Sequence, residues 1–100
     1  MKIVITESDA IVCGALSGRL DTAASAQFAT DIEPLMQKAD KKIVLDCSEL
    51  EYISSSGLRI FLSLRKAAAA KGGSVTLKGV TSAVKQVFTI TGFISLFNFE

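Results

Sequence analysis

Histidine is missing from all 100 residues. Its absence removes Ser-His-Asp and Cys-His nucleophile pairs and most zinc sites, so hydrolysis would need an unusual base. The two cysteines, Cys13 and Cys47, show no CxxC spacing and give no metal site. Both sit in apolar, strand-like runs, as small buried hydrophobes in a reducing compartment do, and no disulfide is expected. No enzyme activity, cofactor or metal is expected.

Long apolar runs are lacking as well. Nowhere do about 18 uncharged apolar residues occur together. The start, Met1-Lys2-Ile3-Val4-Ile5-Thr6-Glu7, holds no stretch that reads as a signal peptide. The expectation is a cytoplasmic protein without a membrane partner. An excess of one charge is also absent: the net charge is +1, and the eleven Lys and Arg are scattered along the chain. That leaves no electrostatic footprint for nucleic acid or an anionic membrane.

What remains is an ordinary globular composition. Hydrophobic residues make up 49% of the chain, which argues against disorder. A chain of this length reads as one domain over 1–100 with one core. A monomer is expected, with a dimer as the alternative.

The pattern of elements is β, β, α, β, α, β, α, β. Ile3 to Thr6 and Ile11 to Leu16 read as strands, the first at an edge, with Ser8-Asp9 turning between them. Asp21 or Thr22 can cap a helix running to about Ala39, with Phe28, Ile32, Leu35 and Met36 as its buried stripe. Pro34 falls inside that helix and predicts a bend or a restart, with Asp31 able to cap the restarted segment. Lys42 to Cys47 is a continuous apolar run closed around Asp46, the pattern of a central parallel strand covered on both faces. Ser48 to Ile53 reads as a loop. A helix then begins near Leu58 and passes through four alanines to Lys71, where Gly72-Gly73 stops it. Ser74 to Lys78 is the next strand. Thr81-Ser82 can cap a third helix carrying Val84, Val87 and Phe88 inward and ending at Gly92. Phe93 to Phe97 is a last apolar segment, read as a strand. The fold class is therefore α/β: a mixed sheet of four to five strands with three to four helices.

The informative segment is Asp46 to Arg59, DCSELEYISSSGLR. Three hydroxyls, Ser54, Ser55 and Ser56, stand between a buried strand and a helix N-terminus. A helix start offers free N–H groups and the positive end of the dipole, so a phosphate placed there can be held without unfolding the domain. Gly57 leaves room for a close approach. The plainer alternative is that one hydroxyl only caps the helix, worth about 1 kcal/mol. Leu58 and Leu62 read either as core or as interface, and Arg59 as a solvated charge or a contact. Asp46 can cap a loop through its own backbone, and Asp21 can cap the first helix.

The chain resembles, over essentially its full length, the STAS domain of bacterial anti-sigma factor antagonists. The matching pieces are Val44-Leu45-Asp46-Cys47-Ser48 followed by Tyr52-Ile53-Ser54-Ser55-Ser56-Gly57-Leu58. Earlier in the chain, Gly18-Arg19-Leu20-Asp21 is similar to the family's G-x-L-D corner. Ser82-Ala83-Val84-Lys85-Gln86-Val87-Phe88, then Thr91-Gly92-Phe93, is similar to its last helix and glycine stop. The resemblance implies that Ser55 is a phosphoacceptor. Many members carry Asp immediately before that serine, where this chain has Ser54, which leaves Ser56 and Ser54 as alternative acceptors. It further implies that the unphosphorylated form binds an anti-sigma factor serine kinase and frees a sigma factor. Phosphorylation would release it, and a metal-dependent serine phosphatase would reset it. Asp21, Ser54, Ser56, Gly57, Leu58, Arg59 and Leu62 are the expected partner-binding residues, with Asp46, Glu49 and Glu51 as neighbouring negative charges. The alternative is a module of the same fold that is never phosphorylated, such as a scaffold or the small subunit of a lipid-transport assembly.

Overall fold

The computed structural model describes all of residues 1–100. Five strands form one mixed sheet in the order β1 (Lys2–Glu7), β2 (Ile11–Leu20), β3 (Lys42–Ile53), β4 (Ser74–Lys78) and β5 (Asn98–Phe99). β1 pairs antiparallel with β2, and every later pair is parallel. The parallel pairs require crossovers, and helices supply them. These are α1 (Thr22–Asp31), α2 (Glu33–Gln37), α3 (Ser55–Lys71) and α4 (Ser82–Thr91).

The helices meet the sheet through a row of phenylalanines. Phe28 of α1 lies 5.9 Å from Phe61 of α3, and Phe61 lies 6.2 Å from Phe88 of α4. Phe97 closes the row against Phe88 at 5.6 Å, edge to face. Beneath them, Val12, Leu16, Ile43, Leu45, Cys47, Val75 and Leu77 supply the buried face of the sheet. Burial pushes the Cys47 thiol up to about 12, with neighbouring Asp46 adding to the shift.

Several expectations are corrected here. β3 is not covered on both faces: Ile43, Leu45 and Cys47 are buried, whereas Lys42, Val44 and Asp46 between them remain partly or fully exposed. Cys13, read as buried, is only half-buried because it lies on that open face. The expected loop from Ser48 to Ile53 is strand. The pairing with β2 runs Ala15 to Asp46, Ser17 to Glu49, Gly18 to Leu50 and Arg19 to Tyr52, so β3 gains one extra residue at each of two bulges. The bulges change the spacing of inward residues from two (Leu45, Cys47) to three (Cys47, Leu50, Ile53), and that spacing looks like loop.

The helix from Asp21 restarts around Pro34 as expected, but the break falls at Ile32, one residue later than the proposed Asp31 cap. Pro34 then sits at the second position of α2, where its missing N–H costs nothing. Finally, Phe93–Leu96 is a 3₁₀ turn, and strand pairing starts only at Asn98. Gly92, at φ 79°, turns the chain there. No helix is long and apolar enough to cross a membrane.

Candidate functional site

Parallel pairing brings the C-terminal ends of β2 and β3 side by side, and each strand runs directly into a helix. In open α/β sheets this edge is where ligands and partners are met. The backbone joins the two helix starts: the Ser54 amide donates to the Leu20 carbonyl at 2.8 Å. α1 is capped by Asp21, whose Oδ1 accepts from the Ala24 amide at 2.8 Å. α3 is capped by Ser54, whose Oγ accepts from the Gly57 amide at 3.2 Å.

The three serines of the motif therefore have different environments. Ser54 is 6% exposed, and its hydroxyl faces inward, 3.5 Å from Ser25 Oγ. Ser25 in turn donates to the Asp21 carbonyl at 2.8 Å, so a short hydroxyl relay links the two helix starts. Ser54 is the buried cap of α3. Ser55, the first residue of α3, is exposed, and its hydroxyl bonds to no other protein group. Ser56 follows it half-buried. The first amides of a helix lack intrahelical acceptors, and of these only that of Gly57 is met by the cap.

Gly57 corrects a second expectation. It is buried, and a Cβ built on it would lie 2.8 Å from Leu20 Cγ and Cδ2 and 3.1 Å from Ile53 Cγ1. The glycine lets α3 press onto the strand ends. It leaves no opening for a partner. Leu58 is likewise fully buried and belongs to the core. Of the remaining expected contacts, Arg59 is exposed and Leu62 half-buried, both on the outer part of α3.

Asp46 does not reach this edge. It pairs with Ala15 and Lys78, seven residues before Ile53, a span of up to roughly 20 Å along the strand. Its Oδ1 accepts from Ser48 Oγ at 2.7 Å and from the Ser48 amide at 3.1 Å, closing a local turn at the first bulge. Those two bonds, the hydroxyl first, hold its carboxyl below the usual aspartate range, with nearby Lys78 adding to the shift. Glu49 and Glu51 are exposed on the bulged part of β3. Sequence reasoning passed over the pair that flanks the caps: Arg19 lies over the Tyr52 ring at 4.6 Å, one residue ahead of Leu20 and Ile53. Both residues lay within the motif segments, but nothing in their spacing marked them as partners.

A family model described as the STAS domain matches residues 2–100. The chain belongs to the STAS domain family. This STAS domain is 32% identical over 97 residues to BtrV of Bordetella bronchiseptica, provisionally named an anti-sigma factor antagonist; the match covers 97% of this chain and 84% of that protein. Among solved structures, a provisionally assigned anti-sigma factor antagonist of Thermotoga maritima matches with a TM-score of 0.85 at 20% identity, over 97% of this chain and 84% of that one. The anti-sigma factor antagonist SpoIIAA, unphosphorylated, matches with a TM-score of 0.80 at 20% identity, over 99% and 88% of the two chains. SpoIIAA of Bacillus in its phosphorylated form matches at 0.73, again at 20% identity, over 99% and 91%. At 20% identity these structures establish a common fold. The mixed sheet and its helices are those of the STAS neighbours.

Proposed function

We propose that this STAS domain is an anti-sigma factor antagonist working as a phosphorylation switch. In this reading the unphosphorylated domain binds an anti-sigma factor serine kinase. The kinase phosphorylates Ser55 and the complex separates, and a serine phosphatase restores the hydroxyl. One observation carries the proposal: Ser55 is the exposed first residue of α3, beside a buried and neutral cap.

The physics follows from that position. Phosphate on Ser55 adds a charge of about −1.5 to −2 to a surface contact. The free amides of the first turn and the positive helix end favour the anion, so the domain stays folded. A partner that had covered an uncharged hydroxyl must now desolvate a dianion, which is strongly unfavourable without a cation to pair it. A coupling of about 1–3 kcal/mol weakens binding 5–150-fold, enough for a switch. The contact face consists of Ser55, Ser56, Arg59 and Leu62, with Asp21 alongside. Ser54, Gly57 and Leu58 shape it from within.

The test is to incubate the purified protein with ATP and each serine kinase of its source genome, map the phosphate, and titrate binding. Phosphate on Ser55 is expected, together with a loss of affinity of about fivefold or more on Ser55→Asp. If no phosphate appears on Ser55 and Ser55→Asp leaves affinity unchanged, the domain is a module of this fold that is not switched by phosphorylation.

A further inference from the structure

β4 and β5 do not pair along their whole length. The Ser74 amide donates to the Lys41 carbonyl, on the β3 side, so alternation along β4 turns the Val75 amide towards β5. Leu77, two residues on, obeys the same alternation: its carbonyl accepts from the Glu100 amide at 2.8 Å. Pairing with β5 begins only at Thr76 and Asn98, because the residues before, Phe93–Leu96, are wound into the 3₁₀ turn. The Val75 amide therefore has no partner in the β4–β5 ladder, although Val75 is only 5% exposed. A buried N–H in that position calls for an acceptor from outside the ladder.

The strands part around a cavity of about 250 Å³, lined by Ser74, Val75, Ser95, Leu96, Phe97 and, from α3, Arg65. Arg65 is half-buried, yet its guanidinium meets no carboxylate, no carbonyl and no aromatic ring. The ion pairs of the domain join Glu7 to Lys38 and Lys41, and Glu100 to Lys42. No acid lines the cavity, and Glu100, the only acidic side chain beyond Ser54, is turned to Lys42 at 3.7 Å. A guanidinium presents its donors as a planar fork that fits a carboxylate two bonds at a time. Here that fork and an unladdered amide open on one cavity.

The walls decide which anion fits. Leu96 is half-buried and Phe97 is 8% exposed, so one side is apolar, while Ser74 and Ser95 bring hydroxyls. A strongly hydrated polyanion loses water against such a wall and gains nothing there. The volume falls below the roughly 300–1,000 Å³ of sites for drug-sized ligands, too small for a nucleotide.

We infer that this cavity binds a small monocarboxylate with a short apolar chain. Arg65 takes the carboxylate, the Val75 amide adds a donor, and Leu96 and Phe97 cover the chain. About 15 Å of α3 separates Arg65 from Ser55. The cavity also lies at the start of β4, whereas Ser55 follows the end of β3. The site is separate from the proposed switch face and stands or falls without it.

The test titrates sodium hexanoate into the isotope-labelled full chain and follows the amide resonances, with hexanamide and inorganic phosphate as comparison probes. Hexanoate should shift the Val75 and Ser95 amides and saturate with a Kd on the order of 1 mM. Hexanamide keeps the chain but lacks the charge, and should bind about tenfold more weakly or worse. Arg65→Gln should weaken hexanoate about tenfold or more. Ala69→Leu keeps the charge and fills the cavity from an exposed position on α3, and should weaken it by a similar factor. Unfolding midpoints are recorded for both variants and should match wild type; if one folds poorly, the other decides. Shifts that are absent at about 50 mM hexanoate, that centre away from the cavity, or that survive the substitutions would overturn the inference. Phosphate binding more tightly than hexanoate, and losing that binding in Arg65→Gln, would assign the cavity to a phosphate group and overturn it equally.

Discussion

α1 and α3 start at the ends of neighbouring parallel strands, and each is capped by a side chain that accepts from the third helical amide. Asp21 does so for Ala24 at 2.8 Å and Ser54 for Gly57 at 3.2 Å. Each cap is followed by an exposed hydroxyl, Thr22 in α1 and Ser55 in α3. The two starts differ in charge and in depth. The Asp21 carboxylate already answers the positive end of α1, so a phosphate on Thr22 would stand beside a negative neighbour. The buried, neutral Ser54 leaves the start of α3 uncompensated, and Ser55 can take an anion there. Under the proposed switch, the comparison favours Ser55 over Thr22 as the acceptor.

The largest effect should come from removing that hydroxyl. Ser55→Ala is expected to abolish phosphate incorporation by the partner kinase, with none transferred to Thr22, as phosphopeptide mapping would show. Phosphate appearing on Thr22 at a comparable rate would break the comparison outright.

Depth is tested at the third helical residue. Gly57→Val forces two methyl groups against Leu20 and Ile53 and should cost about 1–3 kcal/mol in denaturant unfolding. The counterpart Ala24→Gly, at a half-buried position, should cost about 0.5–1 kcal/mol, chiefly through backbone entropy. The caps come next. Ser54→Ala strands the Gly57 amide and should cost about 1 kcal/mol, whereas Asp21→Ser, which keeps a capping oxygen, should cost a few tenths, roughly 0.3 kcal/mol.

The smallest effect lies at Asp46, away from both helix starts. Its folded pKa is depressed by the Ser48 hydroxyl and amide. Its stabilisation is therefore complete above the unfolded aspartate value of about 3.9 and is lost as pH falls through the lower folded value. Asp46→Asn should flatten the acid limb of stability against pH slightly, read by chemical unfolding between about pH 2 and 5.

Much of this was legible in the sequence, for identifiable reasons. Lys42 to Cys47 announced a central strand through its apolar run, and Ser74 to Lys78 was bounded on both sides by glycine. Thr81 and Gly92 marked the ends of α4, as did Gly72 the end of α3. The second half of β3 was hidden because its bulges replace alternation with a spacing of three. Gly57 invited the wrong reading because a glycine in a motif looks the same whether it admits a ligand or a neighbouring leucine. Which of three consecutive serines turns inward depends on the strand contacts of Leu20, and no local pattern encodes that.

The most direct measurement sets unphosphorylated protein beside protein phosphorylated only at Ser55 and reads unfolding free energy and partner affinity together. The account predicts stability within about 1 kcal/mol of the unmodified domain, with affinity for the anti-sigma factor reduced about fivefold or more. Unchanged affinity, or a loss of affinity matched by unfolding of the domain, would contradict it.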